Sequence, residues 1–212
     1  MAVSPQAARE YTLSVGTMRR RAYRAAVSLL FAALSFALFI PGIAVPGYGQ
    51  SAQDLTGRAV DPFVEASGKI IVLVFLRTDC PISNRYAPTI QKLSVQYSGR
   101  VAFWLVYPDA KTSATNIRKY LSDYGYALPA LHDPQHALVE QSHVQVTPEV
   151  AVFGGRSRLI YHGRIDNWYE AFGRSRPAPT THELDDAIRS ALYGKPLATS
   201  VTEAVGCYIS DL

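Results

Sequence analysis

The sequence predicts an α/β fold in which helices flank a central mixed sheet. Two continuous runs of β-branched and aromatic residues, 69–76 and Val101–Tyr107, have the length and composition of strands buried on both faces. A helical segment joins them, and such a crossover makes the two strands parallel with a right-handed connection. Further on, 150–153 and 159–161 flank Gly154-Gly155-Arg156-Ser157, the pattern of an antiparallel hairpin. Parallel strands first and a hairpin last make the sheet mixed.

Each element carries its own signal. The first strand stops at Arg77-Thr78-Asp79-Cys80-Pro81, where polar cap candidates precede a proline at the first helical position. Ile82, Tyr86, Ile90, Leu93 and Tyr97 then recur at intervals of 4, 4, 3 and 4, one face of a helix. Pro88 lies inside that helix and is expected to kink it. A second helix is expected over 112–124, with Ile117, Leu121 and Tyr124 on one face and Gly125 at its end. A short helix starts at Asp133-Pro134 and runs through Ser142, carrying His136. The last helix covers 183–192, with Leu184, Ile188 and Leu192 at i, i+4 and i+8. The order is β-α-β-α-(α)-β-β-α, followed by a tail.

Composition narrows the function. Of 212 residues, 48% are hydrophobic and 18% charged, which excludes a disordered tail protein, a collagen-like repeat and a multi-span membrane protein. Two cysteines, Cys80 and Cys207, rule out a four-thiolate zinc site and a disulfide-dense scaffold. The net charge of +4 belongs to the first 50 residues, which hold five arginines and one glutamate. The remainder balances 16 basic against 16 acidic residues and offers no basic stripe, so no nucleic-acid partner is expected.

Residues 1–50 read as an N-terminal leader. Arg19, Arg20, Arg21 and Arg24 precede an apolar stretch over 25–40, and small residues follow Pro41, Pro46 and Gly47. That order is a Sec-type signal peptide. The uncharged run also exceeds the roughly 20 residues of a membrane span, so a retained anchor is the alternative, opposed by its two prolines. A buried core helix is a third reading. The paired arginines raise a twin-arginine route, which the residues after them do not strengthen. Export places the working domain, 51–196, and the tail, 197–212, in an oxidising compartment, periplasmic or membrane-anchored facing the periplasm.

Particular residues then carry a resemblance. Cys80-Pro81 directly follows the central strand, Pro88 stands eight residues after the cysteine, and Val146-Thr147-Pro148 precedes the hairpin. In these features residues 55–193 resemble thioredoxin-like proteins, which place a nucleophilic cysteine, a kinking proline and a cis-proline loop at these points. More narrowly, TDCPISNRY at 78–86, GRID at 163–166 and VGCYI at 205–209 look like exported redoxins of the alkyl hydroperoxide reductase/thiol-specific antioxidant group. The resemblance implies thiol–disulfide exchange or reversible oxidation at Cys80, protein or small-molecule thiols and disulfides as partners, and no cofactor. It also implies that Thr147 and Pro148 present backbone to an extended substrate beside the sulfur.

The chemistry at Cys80 requires a thiolate, and an ordinary thiol with pKa near 8.5 supplies little of it at neutral pH. A helix N-terminus favours the anion. Arg77 and Arg85 would add positive potential, and Asp79 would oppose it. The usual second cysteine three residues on is replaced by Ser83, whose hydroxyl either bonds the thiolate from one turn below or faces solvent. A dithiol cycle within one helical turn is therefore excluded. Cys80 works as a monothiol, uses Cys207 as a resolving partner, or binds copper(I) with it. The tail around Cys207 carries Val201, Val205, Tyr208 and Ile209, too apolar to stay solvated, and Gly206 permits close backbone approach.

Four other readings stand beside these. A thiol peroxidase would need a hydroxyl residue three before the cysteine, where Arg77 stands instead; peroxide is thus a weaker substrate candidate. His132, His136 and His143 lack tight ligand spacing, and no metal residue is assigned. Arg164, Asp166, Tyr169 and Arg176 read as a salt-bridged loop. A fold-retaining binding module without turnover is the non-enzymatic alternative.

Overall fold

In the computed structural model, residues 52–66 and 68–210 are described; the leader over 1–50 lies outside them. Among the described residues no helix is long and apolar enough to cross a membrane. The elements are β1 (Gln53–Asp54), α1 (Pro62–Glu65), β2 (Ile70–Phe75), α2 (Pro81–Arg85), α3 (Ala87–Gln96), β3 (Val101–Tyr107), α4 (Ala114–Asp123), β4 (Ala130–His132) and α5 (Ala137–Ser142). Then come β5 (Val146–Thr147), β6 (Glu149–Gly154), β7 (Arg158–Gly163), β8 (Tyr169–Ala171), β9 (Arg174–Ser175), α6 (Glu183–Tyr193) and β10 (Cys207–Tyr208).

The six-stranded sheet has the order β1-β4-β3-β2-β6-β7. β2 runs parallel to β3, and β6 joins β2 from the other side antiparallel, so the sheet is mixed with helices on its faces. The alternation of a strand divides β2 between two cores. Val72 and Val74, with Leu76 just beyond, pack with Tyr86, Ile90, Ile117, Leu184 and Ile188. Ile71, Leu73 and Phe75 pack on the opposite face with Leu131, Leu138, Phe153 and Ile209. Ile209 belongs to the tail, so the tail is tied into the second core.

Several local expectations need correcting. The helix expected to bend at Pro88 instead breaks at Tyr86, which closes α2 and opens α3 with φ −84° and ψ −5°. A proline ring clashes with the carbonyl four residues back and provides no N–H, so interruption replaces bending. The helix expected from Asp133 starts only at Ala137. The Asp133 carboxylate reaches forward and accepts from the N–H groups of Ala137, Leu138 and Val139. His136 and His143 flank α5 at its two ends, both in the left-handed region, and do not share its face. Short strands β1, β5, β8, β9 and β10 had no alternating run long enough to announce them.

Candidate active site

The site is built where β2 ends. Cys80 is the N-cap of α2, in extended conformation, with Pro81 at the first helical position. It is fully buried, at 0% exposure, although it sits at a helix tip. What covers it is the tail. β10 pairs antiparallel with β5, placing Cys207 opposite Thr147 and Tyr208 opposite Val146. This pairing brings the Cys207 sulfur to 2.7 Å from the Cys80 sulfur across 127 residues of chain. Both cysteines are free thiols. A disulfide holds its sulfurs about 2.05 Å apart, so the two are poised within a short approach of bonding.

The electrostatics of the pair are asymmetric. Burial works against the Cys80 thiolate, but the hydrogen bond from the Cys207 thiol and the proximity of the Ser83 N–H and hydroxyl outweigh it. The Cys80 thiol therefore ionises below the ordinary thiol range. Burial, followed by its bond to Cys80, pushes the Cys207 thiol up to about 12. In its neutral form Cys80 donates to the Thr147 carbonyl at 3.1 Å, which opposes ionisation. The balance makes Cys80 the sulfur that ionises first and Cys207 its proton-bearing donor.

The remaining expected residues fall around this pair. Ser83 is fully buried, so the solvent-facing alternative is overturned. Its hydroxyl makes no well-formed hydrogen bond, yet stands close enough to Cys80 to favour the anion. The Thr147–Pro148 peptide is cis. Thr147 also donates its hydroxyl to the Cys207 carbonyl at 3.3 Å, and its strand pairs with β10, so the backbone expected to hold substrate is held by the chain's own tail. Arg77 spends its charge on Asp79, with N···O distances of 3.0 and 2.9 Å, and Arg85 lies over the Trp168 ring. Neither arginine is a hydrogen-bond partner of the sulfur. The rings of His132 and His136 bond the carbonyls of Asp109 and Pro108.

The reading of Arg164, Asp166, Tyr169 and Arg176 as a salt-bridged loop holds only in part. Arg164 pairs with Glu183, and Arg176 pairs with Glu170. Asp166, however, is buried and accepts the Tyr86 hydroxyl at 2.6 Å and the Trp168 N–H at 2.9 Å. It ties the hairpin β8–β9 to the end of the cysteine-bearing helix.

Sequence reasoning named Arg77 for its charge but missed its positioning role, and missed Glu149 altogether. Arg77 donates to the Tyr208 carbonyl at 3.2 Å and so fastens the tail beside the sulfurs. Glu149, buried within an otherwise apolar strand, accepts from the N–H groups of Gln145 and Val146 and shapes the turn before Pro148. A lone acid in the run PEVAVF was the available signal for the second; the first has none.

A family model described as thioredoxin-like matches residues 68–159, a segment that contains the helix-tip Cys80, the cis-proline loop and the central strands. The matched segment has a thioredoxin-like fold. Its fold is shared with a hypothetical protein of Sinorhizobium meliloti 1021, at 20% identity and a TM-score of 0.62 over 74% of this chain and 88% of that one. An uncharacterized conserved protein of Geobacillus kaustophilus gives 20% identity and a TM-score of 0.65 over 74% and 86%. At this identity the likeness shows the fold alone. A secreted Mycobacterium tuberculosis disulfide oxidoreductase also aligns, at 18% identity and a TM-score of 0.48 over 69% and 99%. No curated protein matches the chain.

Proposed function

We propose that this thioredoxin-like protein is an exported thiol–disulfide oxidoreductase whose working couple is Cys80 and Cys207. The observation that carries this reading is the 2.7 Å approach of the two sulfurs, one favouring the anion and the other keeping its proton. Closing the couple transfers two electrons and two protons to an external disulfide, which leaves as two thiols; opening it reverses the exchange. Cys80, as thiolate, forms or releases the intramolecular S–S bond. The leader supports a working site beyond the cytoplasm, where such a bond persists.

Thr147 and Pro148 shape the wall beside the sulfurs, and Ser83 supports the anion. The expected outcome is reduction of an aromatic disulfide, with dithiothreitol as electron source, that Cys80→Ser and Cys207→Ser each abolish. Activity surviving in both variants would refute the couple. Peroxide consumption that depends on Cys80 but not on Cys207 would favour the peroxidase instead.

A further inference from the structure

Thioredoxin-like chemistry, read from the sequence, makes Cys80 the sulfur that meets the partner and Cys207 the one that resolves. The packing argues for the opposite order. Cys80 has no exposure, whereas Cys207 keeps some and is followed by Tyr208, 77% exposed. The tail that covers Cys80 is fastened on both sides of Cys207. Upstream, Thr202 donates its N–H to His162 O at 3.2 Å, and its hydroxyl meets the Tyr161 hydroxyl at 2.6 Å. Downstream, Ile209 is buried in the second core and donates its N–H to Gln145 O at 3.0 Å, while Arg77 holds the Tyr208 carbonyl.

Two glycines show how closely the strap is fitted. A Cβ on Gly206 would stand 2.3 Å from the Thr147 oxygen, and one on Gly163 would stand 2.3 Å from the Thr202 oxygen. The tail also occupies the edge of β5 on which an extended peptide would otherwise pair.

Resting on the Cys80–Cys207 couple, we propose that Cys207 is the sulfur attacked by an external thiol, and that the partner is a compact low-molecular-weight thiol. Starting from the disulfide form, the external thiolate attacks the Cys207 sulfur. The Cys80–Cys207 bond breaks, and its electron pair leaves on Cys80. A second external thiolate then attacks the sulfur bound to Cys207, forming the external disulfide. Cys207 departs as a thiolate and takes a proton from water. Two thiols are oxidised and one protein disulfide is reduced. Cys80 is the better leaving group, because the Ser83 N–H and hydroxyl at the helix tip still favour its thiolate when Cys207 carries no proton, and exchange is faster when the departing sulfur has the lower pKa.

The test forms the disulfide with oxidised glutathione, removes the excess, and adds reduced glutathione briefly before an acid quench. Denaturing alkylation with N-ethylmaleimide and peptide mapping then locate each adduct. Glutathione is expected on Cys207 and N-ethylmaleimide on Cys80, with a preference on the order of tenfold, as the sealed position of Cys80 together with leaving-group control implies. Glutathione on Cys80, or divided evenly, overturns the assignment while leaving the couple intact. Failure to form any 80–207 disulfide sinks the couple itself. Ile209→Asp, which releases the strap, is expected to open Cys80 to glutathione; a preference for Cys207 that survives release overturns the role given to the packing.

Discussion

At the scale of single residues, Cys80 and Cys207 are chemically alike in isolation and made unlike by their surroundings. The helix tip, Ser83 and the Cys207 proton favour one anion, and burial beside that anion denies the other. Titration of the reduced protein, followed by ultraviolet thiolate absorbance, is expected to show one thiolate below the ordinary value of about 8.5. The second appears only near pH 12, where the Cys207 thiol is placed. Cys207→Ala removes the strongest of the groups that favour the anion, so the Cys80 titration is expected to move upward. An unchanged midpoint would show that the donor is not Cys207. Cys80 itself was legible in the sequence, because a cysteine followed by proline after a buried strand has few other readings. The role of Arg77 was not: its guanidinium acts on a carbonyl 131 residues away, which no local pattern records.

The elements show why parts of the fold were readable and others not. Continuous apolar runs announced β2 and β3, and the helical period announced α3, α4 and α6. β5 and β10 are two residues each, and they exist because the tail returns to the cis-proline loop. Gly206 is the residue that permits the return. Gly206→Ala is expected to lift β10 from β5, accelerate Cys80 alkylation by iodoacetamide roughly tenfold or more, and suppress the 80–207 disulfide, as overpacking against backbone has no relief but displacement. The α2–α3 junction makes a second case. Tyr86→Phe leaves the buried Asp166 oxygen without the hydroxyl 2.6 Å away, while the Trp168 N–H remains. Removing one partner of a buried hydrogen bond costs about 1–3 kcal/mol, readable as a lower denaturant midpoint at constant slope. No shift in that midpoint would remove Asp166 from the structural frame of the site.

For the whole molecule, the couple links the end of β2 to the chain's last described segment. Closing it constrains a loop of 127 residues in the unfolded chain. Loop-closure entropy of that size stabilises the oxidised protein by roughly 5 kcal/mol relative to the reduced one. Guanidinium unfolding with and without reductant is expected to show the gap, and equal midpoints would mean that the bond does not form. The same span explains the limit of sequence reading here. Composition and periodicity reveal which segments are apolar, and they marked the tail as too apolar to stay in water. Where the tail docks depends on β5, Glu149 and Ile209 together, and that is a property of the assembled sheet.

The central claim is that Cys80 and Cys207 are one reversible redox couple. Its most direct test equilibrates the protein in glutathione buffers of stepped ratio, quenches with acid and maps peptides without reduction. An 80–207 linked peptide that rises and falls reversibly with the ratio is the expected result; two free thiols throughout, or glutathione stably attached to Cys80 alone, would contradict it.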